Sequence, residues 1–149
     1  MLVLTFSFCV ANGQSAFDKM TNEKIAKILQ RETENVQGPL GRWQAELNGR
    51  VLFIITDSNY NRMRIISPIV EIAKMKGEEF KTLLEANFDK ALDAKYSIYD
   101  NALWSTFTHP SGELSVEQFK EAIKQVVRLA SNYGSSYSST DFAFGGGGN

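Results

Sequence analysis

Hydrophobic and polar positions along the chain follow two periods, and the switches between them predict the elements. Ile25, Ile28, Leu29 and Val36 recur at helical spacing, with Lys24, Lys27, Arg31 and Glu34 elsewhere around the turn. Thr21 or Asn22 suits the N-cap, and Gly38-Pro39 is the stop. Residues 42–47 then alternate, Trp43, Ala45 and Leu47 against Gln44 and Glu46, as a pleated strand does. Asn48-Gly49 is a strong two-residue hairpin signal. The strand after it, 51–55, is apolar on both faces and so predicts a central position. Asp57 to Asn61 turns the chain into a strand over 62–67, and 68–75 reads as an extension with a kink.

A second helix is predicted over 79–92 through Phe80, Leu83, Leu84 and Phe88. Alternation resumes at 94–99, with Tyr96 and Ile98 on one face, and again at 102–108. There Trp104, Thr106 and Thr108 face one way and Leu103 and Phe107 the other. Asp100-Asn101 between them tolerates the positive φ of a tight turn. Pro110 ends the strand. Ser115 and Gln118 form a capping box for a last helix whose apolar stripe is Phe119, Ile123, Val126, Val127 and Ala130, with Gly134 at its end. The pattern predicts an α+β domain with an antiparallel five-stranded sheet and three helices in the order α-β-β-β-α-β-β-α.

Composition narrows the function classes. A formal net charge of −1 with no dominant basic run argues against nucleic acid as the main partner. One cysteine, Cys9, excludes an intrachain disulfide framework and a cysteine zinc site, and one histidine excludes a multi-histidine metal centre. No cofactor motif is present. Gly145 to Gly148 follows no strand and lacks the Lys-Ser/Thr of a phosphate loop.

The ends of the chain differ from its middle. Residues 1–16 carry no charged side chain, and Leu2 to Val10 is apolar but too short to span a bilayer. With the small residues around Ala11 to Ser15, this reads as a secretory signal peptide, the alternative being a start at Met20. Cleavage would place the protein in the periplasm or outside the cell; an intact leader would leave it in the cytoplasm. Residues 20–134 form the domain. Residues 135–149, rich in Ser, Tyr and Gly, are expected to be disordered.

No nucleophile signature accompanies His109, and Asp89, Asp93 and Asp100 lie where carboxylates are commonly solvated. The informative feature is a surplus of apolar sheet surface. Three helices cover one face of such a sheet and not both, so either a helix crosses over or another chain buries the second face. Leu52, Ile54, Leu103 and Phe107 are the expected partner-binding face, the alternation itself leaving open which of the two faces the helices cover. Trp43 joins them as an anchor on residues 42–47, a candidate edge strand. The alternative is a small-molecule or enzymatic envelope protein with a pocket near Tyr96, Tyr99, Trp104 and His109.

The element order resembles the type III secretion chaperone-like fold. Within it, the stretches Asp57 to Pro68, Asn87 to Tyr99, Leu103-Trp104 through Phe107, His109 and Pro110, then Leu114, Phe119 and Val126 to Gly134 resemble the YbjN family, described as bacterial sensory transduction regulators. The resemblance covers roughly Thr21 to Ser139. It implies a non-enzymatic protein- or peptide-binding domain, chaperone-like or regulatory and acting as a homodimer, and it carries over no catalytic residue.

Overall fold

In a computed structural model of the chain, residues 19–142 are described. The order is α1 (Asn22–Glu32), β1 (Glu34–Gln37), β2 (Arg42–Leu47), β3 (Arg50–Asp57), β4 (Arg62–Glu71), a single 3-10 turn (Ile72–Lys74), α2 (Glu79–Asp89), β5 (Lys95–Tyr99), β6 (Ala102–His109) and α3 (Val116–Ser131). The strands form one antiparallel sheet in the order β1-β2-β3-β4-β6-β5.

The sheet therefore has six strands among the described residues, not five. The added strand comes from the end of the expected first helix. α1 stops at Glu32, where Thr33 turns extended and its hydroxyl bonds back to the Leu29 carbonyl at 2.6 Å. Val36 packs on the core from a strand rather than a helix. This moves the edge: β1 covers β2, so 42–47 is an interior strand. The pairing of β1 with β2 is irregular, and Asn35 sits at φ 52 between its two registered positions. A bulge of this kind blunts an edge against further pairing. At the β1–β2 turn, Gly38 (φ 109) passes so close to the Arg42 carbonyl oxygen that a Cβ has no room.

Local chemistry explains the remaining elements. Asn48 and Gly49 both take positive φ (51 and 72), as do Asp100 and Asn101 (48 and 56); these are the mirror-image turns whose twist matches paired strands. β4 runs through Pro68 to Glu71 with a register shift between Pro68 and Val70, the kink that the proline imposes on an extended segment. α3 opens on a complete capping box, the Gln118 amide donating to Ser115 Oγ at 3.1 Å and the Ser115 amide to Gln118 Oε1 at 2.9 Å.

Helices α1 and α3 lie on one face of the sheet. That face carries Trp43, Ala45, Leu52, Ile54, Met63, Ile65, Leu103 and Phe107, all buried under Ile25, Leu29, Phe119, Ile123, Val126 and Leu129. Ser67 and Ser105, opposed across β4–β6, are fully buried there without a hydrogen-bond partner. Gln125 of α3 fastens the chain between α2 and β5. Its Oε1 accepts from the Asp93 and Ala94 amides (2.9 and 3.3 Å), and its Nε2 donates to Asp93 Oδ2 (3.1 Å).

The domain continues past Gly134. Tyr137 packs on the core beside Tyr133 and Tyr96, and Ser139 is buried, its amide donating to the Lys90 carbonyl and its hydroxyl accepting from the Leu92 amide at 2.7 Å. Residues 137–140 of the stretch expected to be disordered thus pack on the domain, while Ser135, Ser136, Asp141 and Phe142 are exposed. The leader, Cys9 and residues 143–149 lie outside the described residues. No helix among the described residues is long and apolar enough to cross a membrane.

Candidate functional site

Leu52, Ile54, Leu103, Phe107 and Trp43 come together on one face, as their alternation requires, but that face is the one under the helices. Ile54 and Leu52 are 0% exposed. The five are core, and the accessible apolar surface is the opposite face, which no described element covers.

The open face is organised in rows across the strands. One row reads Gln37, Gln44, Phe53, Ile66, Thr106 and Lys95. Its neighbour on one side reads Arg42, Ile55, Arg64 and Thr108. On the other side Trp104 stands opposite Pro68 and Ser97. The Phe53 and Trp104 rings meet edge to face, centroids 6.4 Å apart. Phe53, Ile66 and Trp104 are half-buried, and Ile55 is 38% exposed. A hollow of about 590 Å³ runs over Arg42, Gln44, Phe53, Ile55, Ile66 and Trp104. A second of about 400 Å³ over Arg62, Arg64 and Thr108 shares Ile55 with it.

Another apolar surface lies at the β5 end. The inner side of α2 buries Leu83 and Ala86, while Leu84 and Phe88 on its outer side are 71% and 86% exposed. Ile98 and Tyr99 of the adjoining strand are also exposed. The β5 edge is guarded at Tyr96. Asn87 Oδ1 accepts from the Tyr96 amide at 2.7 Å and its Nδ2 donates to the Tyr96 carbonyl at 3.1 Å, so one side chain takes the place of a neighbouring strand.

The residues of the alternative pocket do not share a cleft. Tyr96 and Trp104 lie on opposite faces of the sheet. Tyr96 is buried and donates to the Leu129 carbonyl at 3.0 Å. Burial, then the neighbouring Tyr137 and Tyr133, push its phenol above the usual range and keep it a neutral donor. Trp104 Nε1 donates to the Tyr99 carbonyl at 3.0 Å from the open face. His109 stacks on Phe107 and its Nδ1 donates to the Pro110 carbonyl at 2.8 Å, at the mouth of a polar cleft with Asp93, Glu117 and Glu121. No group of three or more His, Cys, Asp or Glu among the described residues is placed to hold a metal ion.

Five side chains that the sequence pattern did not single out as a site therefore matter most, Arg42, Phe53, Ile55, Arg64 and Ile66 on the open face, and Trp104, expected in the alternative pocket, stands beside them. Alternation separates them from Leu52 and Ile54, but only the docking side of the helices says which set is free.

Solved structures share this arrangement. One chain of the HopA1–SchA chaperone–effector complex superposes with a TM-score of 0.57 over 75% of this chain and 94% of its own, at 11% identity. The two chains share a fold. A chain of the ExsC–ExsE complex gives a TM-score of 0.55 over 73% of this chain and 90% of its own, also at 11% identity. At that identity the likeness is one of fold. No family model and no curated protein matches the chain, so the YbjN resemblance rests on the residues quoted for it.

Proposed function

We propose that this chain is a non-enzymatic protein-binding domain of YbjN type, chaperone-like or regulatory, that acts as a homodimer and holds a segment of a partner protein on the open face of its sheet. The observation that carries the reading is the apolar centre of that face, Phe53, Ile55, Ile66 and Trp104. Covering such a surface is favourable by about 25 cal/mol per Å² of apolar area. The chaperone-like fold supports the same reading, because one of its neighbours was solved as a chaperone–effector complex.

The second copy sits at the other end of the sheet. Leu84 and Phe88 are one helical turn apart, so they form a short ridge on α2. Two α2 helices packed antiparallel about a two-fold axis set Leu84 of each against Phe88 of the other. Dimer and partner segment then use separate surfaces.

Two measurements test this. Sedimentation at micromolar concentration should show a wild-type dimer and a folded Phe88→Asp monomer; a strictly monomeric wild type overturns the dimer. Selection of a displayed library of random short peptides should enrich sequences on the wild-type protein that Phe53→Asp no longer retains. Enrichment that survives Phe53→Asp, or none at all, overturns the open-face site.

A further inference from the structure

The open face is not uniformly apolar. Arg42 and Arg64 both register with Ile55, one on each neighbouring strand. Their Cα atoms are thus two strand spacings apart, about 10 Å, on either side of the hydrophobic centre. Both are exposed, and neither forms an ion pair among the described residues; Arg64 donates Nε to Thr108 Oγ1 at 3.3 Å.

Asp57 and Glu46, carboxylates at the margins of this face, are each hydrogen-bonded elsewhere through one oxygen. Asp57 Oδ1 accepts from the Asn59 and Tyr60 amides of its own turn, and Glu46 accepts from Asn35 Nδ2 at 3.0 Å across β1. Asp57 lines the second hollow with Arg62 and Arg64 but forms no ion pair with them among the described residues, so two guanidinium groups stand unpaired beside an apolar centre. A planar fork of N–H donors matches a carboxylate best, and the match strengthens where apolar contact excludes water.

We infer that the segment this face receives is an acidic amphipathic one, with apolar side chains seated on Phe53, Ile55, Ile66 and Trp104 and Asp or Glu residues reaching Arg42 and Arg64. This rests on the open-face reading proposed above and gives the partner its chemistry. A nucleic acid, which also pairs arginine with aromatic surface, fits less well. The face carries Glu34, Glu46 and Asp57 at its margins, and the whole chain has a net charge of −1, so no basic field tracks a phosphate backbone.

The test uses the full chain and the same displayed peptide library, selected on wild type, on Phe53→Asp and on the double variant Arg42→Glu/Arg64→Glu, each first checked for native circular dichroism. The expected outcome is a wild-type pool enriched in Asp and Glu together with apolar residues. One synthesised member should bind about tenfold more weakly to the double variant and more weakly as salt is added. The double variant should itself enrich Lys- or Arg-bearing peptides. A pool that depends on Phe53 but shows no acidic excess overturns this inference and leaves the open-face site standing. A single-stranded oligonucleotide that displaces the peptides and binds more tightly overturns it in favour of nucleic acid. A pool that does not depend on Phe53 overturns the site itself.

Discussion

Ile54 and Phe53 are adjacent in β3 and point to opposite faces, so placing aspartate at each position reads the two surfaces with one chemical change. Ile54 is fully buried under the helices. Replacing it forfeits about 1.5–3 kcal/mol of side-chain burial and leaves a polar group without partners, about 1–3 kcal/mol more. Keeping that carboxyl protonated at pH 7 against its ordinary pKa adds about 4 kcal/mol. The total, about 6–10 kcal/mol, matches the whole stability of an ordinary domain, and Ile54→Asp should be unfolded without denaturant. Phe53 is half-buried and loses its edge contact with Trp104, about 0.5–1.5 kcal/mol. With some strand propensity and partial burial the cost is about 2–3 kcal/mol. Urea unfolding followed by far-ultraviolet circular dichroism should show a folded Phe53→Asp protein with its midpoint lowered by about 1–2 M. If Phe53→Asp is unfolded as well, the open face is internal core and the binding argument fails; if Ile54→Asp folds normally, the assignment of faces is inverted.

Gln125→Leu should lower stability by about 2–4 kcal/mol, because the Asp93 and Ala94 amides lose their shared acceptor; thermal unfolding within error of wild type would show that the fastening contributes nothing. Ser105→Ala should be neutral or stabilising, since its buried hydroxyl has no partner, and a loss above about 1 kcal/mol would reveal one. Tyr133 is pushed up to about 12, first by burial and then by its hydrogen bond to Glu79 Oε1. A raised folded-state value gives stability that is full below the unfolded value near 10 and is lost as pH rises toward 12. Tyr133→Phe should therefore flatten the alkaline fall in melting temperature, leaving the part due to Tyr96; an unchanged slope would refute the assignment.

Much of the fold is legible in the sequence because local chemistry sets it. Asn48-Gly49 and Asp100-Asn101 can hardly do anything but turn, and Ser115 with Gln118 starts a helix wherever it is placed. The alternation in 42–47, 51–55 and 102–108 sorts side chains into two sets that the sheet keeps. The first helix illustrates the limit. Val36 falls on its apolar stripe, yet residues 34–37 pair with β2, because a sheet edge offers ladder bonds that a fraying helix end lacks. That added strand also removes 42–47 from the edge. Beyond Gly134, low-complexity composition concealed Tyr137 and Ser139, whose packing depends on what lies near them in space.

Alternation along β3 determined by itself that Leu52 and Ile54 part from Phe53 and Ile55, because successive side chains of a strand leave opposite faces. It could not say which pair meets solvent. That choice belongs to α1 and α3, which come from the two ends of the described domain and dock on the same side, and to the registry that sets Arg42 and Arg64 about Ile55 across three strands. Both are contacts between residues far apart in sequence, and no local period encodes them. The apolar pattern of the chain thus specified two faces, and only the tertiary structure decided that Leu52 and Ile54 are core while Phe53, Ile55, Ile66 and Trp104 are surface.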